Sequence, residues 1–117
     1  MVSAVLAVLQ PVLAQCVIIA FQAEVVTAVQ AVAACQTGWV LEQWSVAALT
    51  TARHLAPDYL FVDYQQVPDQ ESLWPGPWRW VVYDITEPQR IQPWQQRGAD
   101  LIETWDIGRL LPYFSAA

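Results

Sequence analysis

Short apolar runs and helix-patterned stretches take turns along this chain, and that alternation constrains the fold more than any other feature. Residues 16–21 (CVIIAF), 38–41 (GWVL), 59–64 (YLFVDY), 79–84 (RWVVYD) and 100–104 (DLIET) have the length and β-branched or aromatic content of strands. Between the first two, residues 24–35 place Val25, Val26, Val29, Val32 and Ala33 at helical spacing, with Glu24 in the first turn where the helix dipole favours an acid. Ser45 is a candidate N-cap for a helix through Leu55, with Val46, Leu49 and Ala52 facing inward. Residues 67–77 (VPDQESLWPGP) hold three prolines and a glycine, which predicts a loop-like crossover instead of a helix. Thr86-Glu87-Pro88-Gln89 reads as a capping box opening a helix that runs toward Gly98, a suitable C′ stop. A first helix over residues 4–13, ending or kinking near Gln10 ahead of Pro11, precedes these units, and Asp106 caps a last short helix through Leu111.

Repeated strand and helix alternation predicts an α/β fold with a parallel sheet, either doubly wound or curled toward a barrel. The four glycines stand apart, and neither GxGxxG nor GxxxxGK[ST] occurs, so a nucleotide-binding doubly wound sheet lacks its phosphate loop.

A length of 117 residues suits one domain, and 56% hydrophobic content excludes a disordered tail. Eleven acids against five basic residues, all arginine, give a net charge of −6, which leaves no basic surface for nucleic-acid phosphates. The first 41 residues carry one ionised side chain, Glu24. Nothing basic precedes Arg53, as a secretory signal would require. Residues 2–21 have the length of a membrane span but are interrupted by Gln10, Pro11 and Gln15 without flanking cations, so a helix followed by a buried strand is the better reading and no span is expected. Seven Trp, four Tyr and three Phe exceed what one small core needs, which predicts an incomplete core. Cys16 and Cys35 have no metal-ligand spacing and read as buried, reduced thiols, which points to a cytoplasmic setting.

Three segments carry a family resemblance. Residues 17–26 (VIIAFQAEVV) are similar to a strand, Ser-Phe, acid, helix segment, with Ala20 in place of the Ser and Phe21 matching. Residues 80–88 (WVVYDITEP) resemble a Trp-Thr-Val-Asn strand followed by Pro, with Tyr83 where a Trp is common. Residues 97–104 (RGADLIET) resemble a closing Gly-Val-Asp-Gly-Ile-Ile-Thr-Asp strand, with Thr104 matching and Trp105 in place of the last acid. Together they resemble the glycerophosphodiester phosphodiesterases. The resemblance implies that residues 1–117 form a single partial domain, strands four to eight of a TIM (β/α)8 barrel, with the first half of a fold of about 250 residues absent. It also implies hydrolysis of a small-molecule glycerophosphodiester to glycerol 3-phosphate and an alcohol, with a divalent cation, Mg or Ca, whose ligands are not in this chain. The family's His-Arg-Gly, Glu-x-Asp, second His and Glu-x-Lys all belong to the absent strands. With one His, no Lys and no His-Arg-Gly, the chain supplies no catalytic residue and is expected to be inactive alone.

Barrel sites form where the strands end at their carboxyl ends, which selects Phe21, Gln22, Glu42, Asp63, Tyr83, Asp84, Glu103 and Thr104. By resemblance Phe21 and Tyr83 line the wall that packs the glycerol or alcohol, and Asp63 and Thr104 join them as substrate-binding residues; core packing is the competing reading for the aromatics. Asp63, Asp84 and Glu103 come from successive strands, but capping or solvation outweighs a metal role for them. Asp100 and Asp106 read as turn and cap residues. His54, late in its helix, reads as a C-terminal partner of the helix dipole. Trp74 and Trp78, in the proline-rich loop, are the tryptophans best placed to reach a ligand. The alternative from another class is a non-catalytic assembly module that pairs with an N-terminal half or with itself, and a membrane-anchored protein is the weakest reading.

Overall fold

The computed structural model describes residues 17–32 and 35–104. The helices expected over residues 4–13 and after Asp106 lie outside the described residues, as do Cys16 and Trp105. Within them the chain runs β1 (Val17–Ala20), α1 (Ala23–Val32), β2 (Gln36–Val40), α2 (Val46–Leu55), β3 (Tyr59–Asp63), β4 (Arg79–Tyr83), α3 (Ile91–Gln96) and β5 (Leu101–Ile102). The five strands form one sheet in the order β1-β2-β3-β4-β5, and every neighbouring pair is parallel.

Alternation along the strands separates two faces. Trp39, Leu60, Val62, Trp80 and Val82 point to one side, where they pack with Val26 of α1, Ala52 and Leu55 of α2, and Trp94 of α3 in a single core. Val40, Phe61 and Val81 form a smaller cluster on the other side, flanked by Tyr59 and Tyr83. A doubly wound sheet reverses its strand order and carries helices on both faces. Here the order never reverses and α1, α2 and α3 share one face, so the fold is an α/β sheet compatible with part of a barrel. On the face that none of the described helices covers, Ile19 and Leu101 are 49% and 46% exposed.

Local chemistry sets the ends of the elements. Ser45 caps α2 as its sequence predicts, its Oγ accepting from the Ala48 N–H at 3.1 Å. The inward stripe of α2 is rotated from the expected one, since Ala52 and Leu55 are buried whereas Val46 is 82% exposed at the first helical position. Val32, expected to face inward from α1, is exposed at that helix's end. The capping box at residues 86–89 does not form. Glu87 makes no side-chain cap bond and instead pairs with Arg90 at 3.1 Å, while Pro88–Arg90 make a 3-10 turn that feeds α3. Gly98 does end α3, with a φ of 112° that suits glycine, and Ala99 donates back to the Trp94 carbonyl at 3.0 Å. Cys35 is a free thiol, half-buried where full burial was expected.

Residues 67–78 do the work of a crossover helix without being one. Val67, Leu73 and Trp78 are buried in the helix-side core. The strap is tied down by Leu73 N–H donating to the Arg97 carbonyl at 2.8 Å, and by the Arg97 guanidinium donating to the carbonyls of Glu71 and Pro68 at 2.8 and 2.7 Å. Trp74 stacks on Trp44 with ring centroids 4.0 Å apart, and its carbonyl accepts from the indoles of both Trp78 and Trp80. These contacts correct the expectation that Trp74 and Trp78 reach a ligand. Trp78 is buried and Trp74 packs against the helix-side core, so both support the crossover and leave the strand-end mouth to other residues.

Candidate functional site

Side chains on the face that no described helix covers converge toward the carboxyl ends of β1, β3 and β4. Parallel register puts Asp63 of β3 beside Tyr83 of β4, and places Val40, Phe61 and Val81 one step nearer the strand starts. A cleft of about 240 Å³ opens there, lined by Ile19, Phe21, Val40, Phe61, Tyr83 and Glu103. A longer apolar trough of about 420 Å³ continues along the same face past Tyr59 and Leu101.

Phe21 is 59% exposed, yet its backbone is fixed, because the Trp39 indole on β2 donates to the Phe21 carbonyl at 2.8 Å. The floor depends on Gly38. A Cβ at that position would fall 2.7 Å from Phe61 Cε1 and 3.3 Å from Ile19 Cγ1, so the glycine lets the Phe61 ring lie across β2.

The mouth is acidic. The Tyr83 phenol is held above its ordinary value of 10.0, first by burial and then by the negative charges of Asp63, Asp84 and Glu103. Asp63 is already engaged as a cap, its Oδ1 accepting from the Gln65 N–H at 2.9 Å. Asp84 is exposed in the left-handed region at φ 66°. Glu103 is exposed, and its backbone N–H extends the ladder to the Val82 carbonyl at 2.9 Å. No group of three or more His, Cys, Asp and Glu among the described residues is placed to hold a metal ion. Asp63 is engaged as a cap, so Asp63, Asp84 and Glu103 do not make such a group.

The structure therefore brings Phe21 and Tyr83 into one cleft and sets Asp63 at its edge. Thr104 is half-buried beyond β5 and does not line the cleft. Glu42 belongs to a separate cleft of about 360 Å³ beside the start of α2. His54 is exposed near the end of α2, as its position predicts. The sequence reading missed Ile19, Val40 and Phe61 as the cleft's wall. Their signal is parity with Asp63 and Tyr83 across paired strands, which becomes readable only once register is known.

Tyr83 yields a test. The unfolded chain loses its phenolic proton near pH 10 and the folded chain does so later, so this group's stabilisation is complete below about pH 10 and is lost as pH rises through the folded value. Alkaline unfolding monitored by circular dichroism is expected to flatten in Tyr83→Phe, and the late phenolate absorbance step is expected to vanish. An unchanged titration would place the phenol outside the acidic mouth.

Comparison with known proteins finds no matching family model and no matching curated protein.

Proposed function

We propose that this chain is the carboxyl-terminal half of a phosphoric diester hydrolase of the glycerophosphodiester phosphodiesterase type, supplying one wall of the site and none of its catalytic groups. The observation that carries the reading is the unbroken parallel order of five strands with α1, α2 and α3 on one face, which leaves Phe21 and Tyr83 together at the strand ends where barrel enzymes work. In this role the rings pack the apolar part of the glycerol or alcohol. The acidic mouth repels a phosphodiester, so the positive charge that holds the phosphate, whether a divalent cation or basic side chains, comes from the strands this chain does not contain.

The purified chain, incubated with a glycerophosphodiester and Mg or Ca, is expected to release no glycerol 3-phosphate above the blank. A separately encoded segment bearing His-Arg-Gly and Glu-x-Asp is expected to restore hydrolysis when mixed with it. Turnover by the chain alone would refute the half-site reading, and failure of any such segment to restore activity would remove the hydrolase reading.

A second reading is favoured by the exposed Ile19 and Leu101 on the edge strands β1 and β5: a non-catalytic module that pairs with an N-terminal half or with itself. No helix among the described residues is long and apolar enough to cross a membrane. A folded, monodisperse monomer by light scattering that takes up no N-terminal segment would argue against this module.

A further inference from the structure

We propose that the cleft formed by Phe21, Phe61, Tyr83 and Glu103 binds a small organic cation of the quaternary-ammonium class. This inference rests on the cleft alone and does not depend on the phosphodiesterase reading.

Its chemistry is aromatic and anionic together. Three rings and the aliphatic Ile19 and Val40 line it, and Glu103 is the one ionised side chain in the lining. Asp63 and Asp84 add to the negative field at Tyr83. No arginine or histidine lines the cleft, and the chain contains no lysine. On β4 the basic residue is Arg79, four residues from Tyr83 at the opposite end of the strand, which is about 13 Å away at the rise of a β-strand.

Such a lining sorts its ligands by charge and hydration. An anion meets the negative field of the carboxylates. A hard metal ion wants several converging oxygens, whereas Asp63 spends its Oδ1 on the Gln65 N–H and most of the wall is hydrocarbon. A neutral apolar molecule gains from the hydrocarbon but not from the field. An alkylated ammonium ion gains from both, since its methyl shell packs on the aromatic and aliphatic wall while its charge is drawn by the carboxylates. A compact head group fits the cleft of about 240 Å³, with the trough of about 420 Å³ open beside it. Phe21 presents a ring that is mostly in solvent on a backbone already fixed by Trp39, so little ordering is needed when the ligand arrives.

The test is a titration of the intact chain with tetramethylammonium chloride at constant ionic strength, following the ring-proton shifts of its Phe and Tyr residues by nuclear magnetic resonance. Neopentyl alcohol serves as the neutral match in shape. Saturable shifts are expected with a Kd on the order of 1 to 10 mM, as suits a ligand of few atoms on an open cleft. Neopentyl alcohol is expected to bind about tenfold more weakly. Phe21→Leu, at an exposed position that tolerates the change, is expected to weaken tetramethylammonium roughly two- to five-fold. Glu103→Gln is expected to weaken it further as ionic strength is lowered, because the lost charge is then less screened. Equal affinity for the alcohol, an unchanged Kd in Phe21→Leu, or shifts that stay linear to about 100 mM, well beyond the expected millimolar range, would each overturn the proposal.

Discussion

Trp80→Ala is expected to lower the unfolding free energy by about 3 to 5 kcal/mol, a large share of the roughly 5 to 15 kcal/mol that holds a domain folded. The ring is 3% exposed at the centre of the helix-side core. Its centroid lies 5.7 Å from those of both Trp44 and Trp74, and its indole donates to the Trp74 carbonyl at 2.7 Å. Deleting it opens a cavity under the strap of residues 67–78, which is short of backbone hydrogen bonds of its own and depends on that packing. Trp80→Phe separates packing from hydrogen bonding. It keeps an aromatic ring, and the Trp74 carbonyl retains the Trp78 indole at 3.1 Å, so a loss of about 1 to 2 kcal/mol is expected. Urea denaturation followed by circular dichroism measures both. A loss below about 1 kcal/mol for the alanine variant would mean that the strap is not packed on the sheet. Because Trp80 points away from the cleft, tetramethylammonium affinity is expected to survive in whatever fraction of this variant remains folded.

The strands were legible because a strand buried in a parallel sheet has to be a short, nearly continuous apolar run, and residues 59–64 and 79–84 meet that demand without help from tertiary structure. Ser45 was legible for a similar reason, since an N-cap is a local bond. The capping box at residues 86–89 misled because its composition is right while the turn starts one residue later, at Glu87, and Gln89 donates to the Glu87 carboxylate at 2.8 Å instead of reaching back to Thr86. Trp44, Trp74 and Trp80 were legible as apolar mass but not as a cluster, because their meeting joins a loop after β2, the strap and β4, and no sequence spacing encodes that. At the candidate site, the rule that barrel chemistry sits at strand ends found Phe21, Asp63 and Tyr83. It could not separate cleft from core, because that choice depends on which face α1, α2 and α3 cover. Once sequential order puts them all on one side, a residue such as Phe61 leaves the core and becomes the wall of a cleft.

The same topology explains two aspartates whose substitution ranks next in expected effect. Asp58 and Asp100 each sit one residue before a strand, β3 and β5, and each clasps the strand before it. Asp58 Oδ2 accepts from the Thr37 N–H at 2.8 Å while its own N–H donates to the Thr37 carbonyl at 3.0 Å. Asp100 repeats the arrangement on Trp80, at 2.8 and 3.0 Å. A short strand has few ladder bonds, so a side chain that supplies one more at the amino end helps set the register on which the cleft depends. Thr37 is buried, and its N–H has the Asp58 carboxylate as its partner. Asp58→Ala is therefore expected to cost about 2 to 3 kcal/mol, the penalty of a lost charge-assisted bond that leaves a buried donor unpaired. Asp58→Asn keeps an acceptor oxygen and is expected to recover at least half of that loss. Amide hydrogen exchange distinguishes this account from a general surface effect, since Thr37 should lose protection in the alanine variant before the centre of β2 does. If Thr37 stays as protected as Val40 while global stability falls, the carboxylate acts somewhere other than on that N–H, and the strand-clasp explanation fails for Asp100 as well.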